Sequence, residues 1–473
     1  MQPNKTEDVT QQSLQELSFS RPLIERFDRS GPRYTSYPTA DRFHEPFAPD
    51  EYIRALQQRA TLGGQASPLS LYVHLPFCAS LCYFCACNKI ITQDHTRSSE
   101  YVQYVLKEAD MVLPYLGQAT QLGQLHFGGG TPTFLDPDEQ KMLMTGLQQR
   151  FQFMPDAELS IEIDPRTVNA DTLSNLAGYG FNRCSFGVQD FNPSVQQAVN
   201  RIQPYEQVEQ VVFAARAAGF DSINTDLIYG LPKQNISSFE ETVRLLLQLR
   251  PERIALYNYA HLPERFKAQR LIKAEDLPSP HERLDLFLLA ARALVEAGYV
   301  YIGLDHFSLP TDELNQAQLD GSLQRNFQGY TTRADHDLVG LGVSAIGKVQ
   351  NTHAQNNRSL KSYYQCIEDG VLPTQRGIVM NQDDALRADI IMRLMCSMPV
   401  VFSTYEQQYG IDFQEYFAAE LDELSPFQEK NFITIDEHQI QVTLKGRLFV
   451  RAVSMIFDAY LAQRTQATYS RII

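Results

Sequence analysis

LSLYVHLPFCASLCYFCACNK, residues 69–89, joins an apolar run of β-forming residues to a loop that carries four cysteines, Cys78, Cys82, Cys85 and Cys87. The run is the first of a series. Comparable stretches follow at QLHF (124–127), ELSIEID (158–164), RCSFGVQ (183–189), SINTDLIY (222–229) and RIALYNYA (253–260). Between them lie segments around 99–115, 136–150, 204–218 and 237–249, with apolar residues at helical spacings of three and four. Repeated β-then-α units imply parallel strands joined by helical crossovers, in a barrel or a doubly wound sheet.

The unusual residues fall just after the strands, the side on which barrels and open α/β sheets bind ligands. The cysteines follow the first strand and Gly128-Gly129-Gly130 the second; Glu162 and Asp164 sit on the third. Gln189 and Asp190 end the fourth, Asp226 lies in the fifth, and Tyr259-Ala260 closes the sixth. YVYIGLDHF (299–307), ending in Asp305-His306, is read as a seventh strand. The expected class is α/β: an incomplete (β/α)6 TIM-like barrel with an N-terminal extension and a small C-terminal helical domain bearing a wing.

Outward from this core, residues 1–19 are polar and expected to be loosely ordered. Residues 20–68 form an extension over the barrel mouth, beginning with the helical stretch RPLIERFDR and continuing as the extended GPRYTSYPTA (31–40). The barrel is assigned to 69–310, and connecting loops with a substrate-site segment to 311–374. Residues 375–473 read as helices at 384–396 and 412–422, a hairpin wing within 432–448 and a last helix near 446–462.

The 473 residues carry 41 basic and 56 acidic side chains, a formal net charge of −15. Such a surface repels phosphodiesters and anionic lipids, so neither nucleic acid nor membrane is an expected partner. No apolar run is long enough to cross a bilayer, and the polar opening MQPNKTEDVTQQ gives no export signal, so a cytoplasmic location is expected. Seven cysteines, an odd number, argue against a disulfide framework. Cys184, Cys366 and Cys396 lie in apolar segments and read as core thiols.

The clustered four are different. A structural zinc site usually takes four ligands as two separated pairs, and there is no second CxxC. An iron–sulfur cube accepts thiolates from one loop, and three ligands on four irons leave one iron open for a substrate or cofactor. Low-potential clusters of this kind support radical chemistry from S-adenosylmethionine. Spacing alone does not say which three of the four bind.

HLPFCASLCYFCACNK (74–89) closely resembles the cluster loop of radical S-adenosylmethionine enzymes, and within them that of the oxygen-independent coproporphyrinogen III oxidase family. The resemblance runs from about Arg26 to the C-terminus, through SGPRYTSYPTA (30–40), HFGGGTPTFL (126–135), IEIDPR (161–166), FNRCSFGVQDFN (181–192), INTDLIYGLPKQ (223–234), YAHLPERFKAQR (259–270), RNFQGYTT (325–332) and GVSAIG (342–347). Haem-chaperone relatives have a similar loop but lack the fourth cysteine and the SGPRYTSYP segment. Ala86 departs from the glycine expected between the third and fourth cysteines.

By this resemblance Cys78, Cys82 and Cys85 hold a 4Fe–4S cluster and Cys87 does not. Tyr72, Gly129, Glu162, Ala260 and Ile346 would contact one S-adenosylmethionine. Phe84, Gly130, Thr131, Gln189, Arg201 and Asp226 would contact a second. Glu162 and Asp226 also suit ion pairs inside a barrel, and Arg201 a surface arginine. Tyr72, Glu162 and Arg33 are the candidate catalytic residues. The implied reaction converts two propionates of coproporphyrinogen III to vinyl groups, giving protoporphyrinogen IX, through hydrogen abstraction by a 5′-deoxyadenosyl radical.

A substrate with four propionates needs local positive charge. Arg21, Arg26, Arg29 and Arg33 form a candidate strip, though Glu25 and Asp28 could simply pair with its helical part. Arg33 with Tyr34 and Tyr37 is favoured; Gln328, Tyr330 and His306 are weaker candidates. A low-potential donor such as flavodoxin or ferredoxin and a monomeric state are also expected. The alternatives are a haem-binding or haem-delivery protein that keeps the cluster without oxidase activity, and a zinc-stabilised interaction protein.

Overall fold

A computed structural model describes residues 21–333, 335–461 and 469, Arg21 without its side chain. Six parallel strands form its centre: β1 (Leu69–Leu75), β2 (Gln121–Gly129), β3 (Gln152–Ile163), β4 (Arg183–Gln189), β5 (Ser222–Tyr229) and β6 (Arg253–Asn258). Every residue of β1 except Tyr72 is buried, as befits a strand covered on both faces. In β4 and β5 burial alternates. Cys184, Phe186, Val188, Ile223, Thr225 and Leu227 are the buried set, and the half-open set includes Arg183, Ser185, Asn224 and Asp226. The period of two therefore lines the inside of the curved sheet with polar groups, leaving room for a ligand where a packed barrel would place branched apolar residues.

Four crossovers follow expectation, with helices at Thr96–Leu116, Pro137–Arg150, Tyr205–Ala218 and Ile236–Leu249, and a fifth helix, Ala170–Gly178, joins β3 to β4 where none was named. The sheet order leaves the series open, so the expected incomplete barrel of six units is what forms. Its edges differ from the sequence reading. The seventh strand is a hairpin, β7 (Val300–Gly303) and β8 (His306–Ser308), of which β8 pairs antiparallel with β6. Leu304 at φ 50° turns the chain inside what reads as one β run. A seventh parallel strand, β9 (Asp337–Leu341), adds on the far side of β1 instead, followed by antiparallel β10 (Ile346–Val349), β11 (Thr352–Asn356) and β12 (Thr374–Val379). The stretch 311–374, read as connecting segments, thus carries strands that widen the sheet.

The helix Pro49–Ala60 was not anticipated; proline at its first position and acids in its first turn are its signals. At the C-terminal end, strands Ile433–Ile435 and Gln439–Val442 form the wing, joined by Val400–Val401. The single last helix is a correction: 445–457 is three short helical pieces. Arg451 there turns inward to the Pro32 carbonyl at 3.1 Å, so docking overrides the helical period. The N-terminal extension is cemented to this end: Phe27 packs on Phe427, Phe432 and Phe449, and the Tyr34 hydroxyl donates to Asp458 at 2.9 Å. Among the described residues no helix is long and apolar enough to cross a membrane.

Candidate active site

A cavity of about 780 Å³ opens inside the curve of the sheet. Tyr72, Gly129, Glu162, Asp226 and Ile346 line it, as do Cys87 and the weaker candidates His306, Gln328 and Tyr330. Phe84, Gly130, Thr131, Gln189, Arg201 and the three other loop cysteines lie outside its lining. Ala260 lines a separate hollow of about 260 Å³, and its carbonyl shares the Gln269 side-chain amide with that of Phe84.

On the floor of the cavity next to the cysteine loop, hydrogen bonds fix the side chains in sequence. Asn88 offers only a carbonyl to His74 Nε2 (2.9 Å), so this nitrogen carries the proton and Nδ1 accepts from the Tyr72 hydroxyl (3.0 Å). Burial keeps His74 neutral by lowering its pKa. The Tyr72 ring stacks on His126 at 5.8 Å. His126 bonds Ser160 at 2.7 Å through Nδ1 and turns Nε2 toward Glu162 at 3.5 Å. Glu162 also accepts the Gly129 N–H at 3.1 Å. Burial raises the pKa of this carboxyl, but His126 and the Gly129 N–H outweigh it and hold the group below the usual range, ionised at neutral pH.

The glycines make this approach possible. Gly129 sits at φ 119°, and a Cβ there would meet the His74 ring at 2.7 Å. A Cβ on Gly130 would stand 2.5 Å from the Pro76 carbonyl oxygen. Backbone of the glycine turn and of the cysteine loop are in direct contact.

Asp226, across the floor, accepts from Ser185 (3.1 Å) and Asn224 (2.8 Å). Burial, and then the neighbouring charge of Glu162, push it up to about 7. The cavity floor thus sets an ionised Glu162 across from an Asp226 poised near neutrality.

The cysteine loop is surrounded by donors. Arg166 and Arg201 aim guanidinium nitrogens at the Cys82 sulfur, at 3.7 and 3.6 Å, and both pair with buried Asp164. The Thr131 hydroxyl lies 3.4 Å from the Cys78 sulfur. Two cations and a hydroxyl directed at sulfur suit thiolates bound to a metal centre. A single zinc ion needs Zn–S bonds of about 2.3 Å and so sulfurs about 4 Å apart. Among the described residues no three cysteine sulfurs lie within 4.8 Å of one another, so the loop does not present a preformed single-ion site. The donor set fits a 4Fe–4S cluster.

Other candidates fall elsewhere. Arg33 pairs with Asp305 and lies over the Tyr257 ring at 5.4 Å, beside the cavity and outside its lining. Arg26 and Arg29 are exposed and line no part of it, so neither closes over the mouth; the Arg21 side chain lies outside the described residues. Tyr34 and Tyr37 are buried against Asp458 and Ala459, which makes them structural. Of the three scattered thiols, Cys396 is a core residue; Cys184 is buried at the cavity wall, and Cys366 is half-buried.

Sequence reasoning did not single out His126, Arg166 or the arginines Arg183, Arg253, Arg265, Arg358 and Arg376, five of which line the cavity. His126 had a signal: it shares one strand face with Gln124 and Gly128.

An open parallel sheet with a four-cysteine loop after its first strand places the chain among radical S-adenosylmethionine proteins once the sequences are compared: the profile described as the Radical SAM superfamily matches residues 72–246. The HemN C-terminal domain profile matches residues 380–449. The chain is 47% identical to the oxygen-independent coproporphyrinogen III oxidase of Pseudomonas aeruginosa, over 97% of this chain and 100% of that one. It is 45% identical to the Escherichia coli protein of the same name, over 98% and 100%. The solved structure of coproporphyrinogen III oxidase (HemN) from Escherichia coli superposes with a TM-score of 0.89, covering 94% of this chain and 100% of that one. The chain belongs to the oxygen-independent coproporphyrinogen III oxidase family.

Proposed function

We propose that this protein converts coproporphyrinogen III to protoporphyrinogen IX by oxidative decarboxylation of two propionates to vinyl groups. The observation that carries the reading is the cysteine loop, with cations at the Cys82 sulfur and with Cys87 at the wall of a cavity of about 780 Å³, in a chain of this family. When bound, a 4Fe–4S cluster and S-adenosylmethionine supply a one-electron route to a hydrogen-abstracting radical.

The protein's own part is holding, orienting and excluding. Cys78, Cys82 and Cys85 hold the cluster; Arg166, Arg201 and Thr131 steady the sulfur charge. Glu162, fixed and ionised, receives the cofactor's polar groups together with the Gly129 turn, while Tyr72, Ile346 and Ala260 complete that seat. Phe84, Gly130, Thr131, Gln189, Arg201 and Asp226 would serve a second cofactor molecule. Support for that second seat is the buried, unpartnered Oε1 of Gln189 and the near-neutral Asp226. Arg33, locked to Asp305, positions the Tyr257 wall. A site inside the curve of the sheet would keep water and stray hydrogen donors from the reacting carbon. Boundaries at 69–310 for the barrel and 375–473 for the C-terminal domain, a monomeric state, a cytoplasmic location and a flavodoxin- or ferredoxin-like donor complete the reading.

Anaerobic reconstitution with iron, sulfide and reductant, followed by S-adenosylmethionine and coproporphyrinogen III, tests it. The expected products are protoporphyrinogen IX and 5′-deoxyadenosine. A chain that takes up the cluster and binds haem without turnover overturns it.

A further inference from the structure

Five arginines line the cavity, and their partners divide them. Arg183 pairs with Glu158 and Glu313, and Arg253 with Asp312 and Glu313. Arg265, Arg358 and Arg376 have no carboxylate ion pair among the described residues. They arrive from separate places: the loop after β6, the turn after β11 and strand β12 itself. Arg376 is the most constrained. Its Nε donates to Gln355 at 2.7 Å, its Nη2 bonds the Ala40 carbonyl, and its guanidinium stacks over Phe43 at 5.7 Å. Burial lowers its pKa and the charge of Arg358 adds to that; Glu45 opposes the shift and Arg265 adds a little more, so the three arginines lie in one field. On a chain of net charge −15, three guanidiniums at one cavity wall with no carboxylate paired to them among the described residues mark a place suited to anions.

We propose that Arg265, Arg358 and Arg376 form the carboxylate-recognition site of the cavity, gripping propionates of the tetrapyrrole as it enters. The assignment rests on the substrate reading above and adds to it the residues that select a polycarboxylate. Each guanidinium offers a planar fork to a carboxylate, and the half-buried Arg376 is the anchor because its fork is already oriented. Arg265 and Arg358, exposed, supply steering and the second grip.

The test uses the anaerobically reconstituted full-length protein and two probes. Fluorescence titration with coproporphyrin III, against its uncharged tetramethyl ester, reads recognition without turnover. Steady-state kinetics read KM for coproporphyrinogen III and, separately, for S-adenosylmethionine. Arg376→Ala and the pair Arg265→Ala with Arg358→Ala are expected to weaken coproporphyrin III binding at least tenfold and to leave ester binding unchanged. KM for the porphyrinogen rises in parallel, with kcat and KM for the cofactor near wild type; Arg376→Lys recovers part of the loss. Unchanged coproporphyrin III affinity in folded variants overturns the assignment, as does a defect confined to the cofactor. If wild type binds coproporphyrin III through these arginines yet makes no vinyl product, the recognition site stands and the oxidase reading falls.

Discussion

The guanidinium of Arg201 and the sulfur of Cys82 are 119 positions apart in the chain and 3.6 Å apart in space. Arg201 is held by three partners: Asp164 at 3.0 Å, the Gly187 carbonyl at 2.6 Å and the sulfur itself. Arg166 approaches the same sulfur from the same carboxylate. Asp164 therefore sets the position of two cations, and they set the electrostatic environment of the loop.

Replacing Arg201 with Gln removes the charge but keeps much of the volume. Outer-shell partners of metal ligands are worth about 10–100-fold in metal retention. Iron and sulfide per chain after reconstitution should fall, and cluster loss to a chelator should accelerate by that factor. A variant with wild-type iron content and chelator resistance would remove Arg201 from this role.

Tyr34→Phe probes how the N-terminal extension is attached. The hydroxyl is 1% exposed in its residue and donates to Asp458, whose carboxyl would lose a buried partner. Loss of a buried hydrogen bond to such a group costs about 1–3 kcal/mol. Thermal unfolding should shift down accordingly, with proteolysis near residues 30–40 becoming faster. Unchanged melting and unchanged proteolysis would mean that the aromatic packing around Phe27 holds the extension unaided.

Much of this was legible in the residues themselves. The six strands follow from short β-rich runs at regular spacing, nearly all buried in β1, which is covered on both faces, and alternating in β4 and β5, whose inner face is polar. The loop cysteines declare themselves by density alone. The polar lining was legible too, as Gln124 and His126, then Arg183 and Ser185, then Asn224 and Asp226, each two apart. What sequence could not give was long-range partnership. Arg33 looks available in GPRYTSYPTA, but Asp305, 272 positions away, claims it. Val300 to Ser308 looks like one strand until the left-handed Leu304 folds it back. Strand β9 escaped because DLVGL is short and its place beside β1 is decided by sheet pairing and not by any local pattern.

Glu108 gives a pH signature remote from the cysteine loop. It is 2% exposed and accepts from Tyr363 (2.6 Å), the Gly342 N–H (2.7 Å) and Asn356 (2.6 Å). Burial nevertheless dominates these donors and pushes it up to about 7. A carboxyl with a pKa higher folded than unfolded binds more protons in the native state across that interval, so stability declines as pH rises from about 4.3 toward 7. The contribution is of order 3 kcal/mol across the window. Glu108→Gln cannot titrate. Its absolute stability also reflects an amide placed among three donors, so the informative quantity is the slope. Denaturant midpoints between pH 5 and 8 should be flatter for the variant than for wild type, and parallel curves would show that Glu108 is ionised throughout.

Glu162 carries the sharpest expectation for cofactor binding. It accepts the Gly129 N–H and faces His126 at 3.5 Å, and it is the strength of these contacts, not the acceptor itself, that its charge supplies. In Glu162→Gln one amide oxygen still accepts from Gly129, so the turn keeps its shape. The lost element is a charged acceptor, worth about 1.5–3 kcal/mol per hydrogen bond and thus about 10–100-fold in affinity. Titration of the reconstituted variant with S-adenosylmethionine should show that loss, while iron content and melting temperature stay at wild-type levels because neither Cys78, Cys82 nor Cys85 touches Glu162. If instead the variant loses its cluster with its cofactor affinity, Glu162 supports the cysteine loop through the glycine turn. Full affinity with full iron content would leave the carboxylate without a part in binding at all.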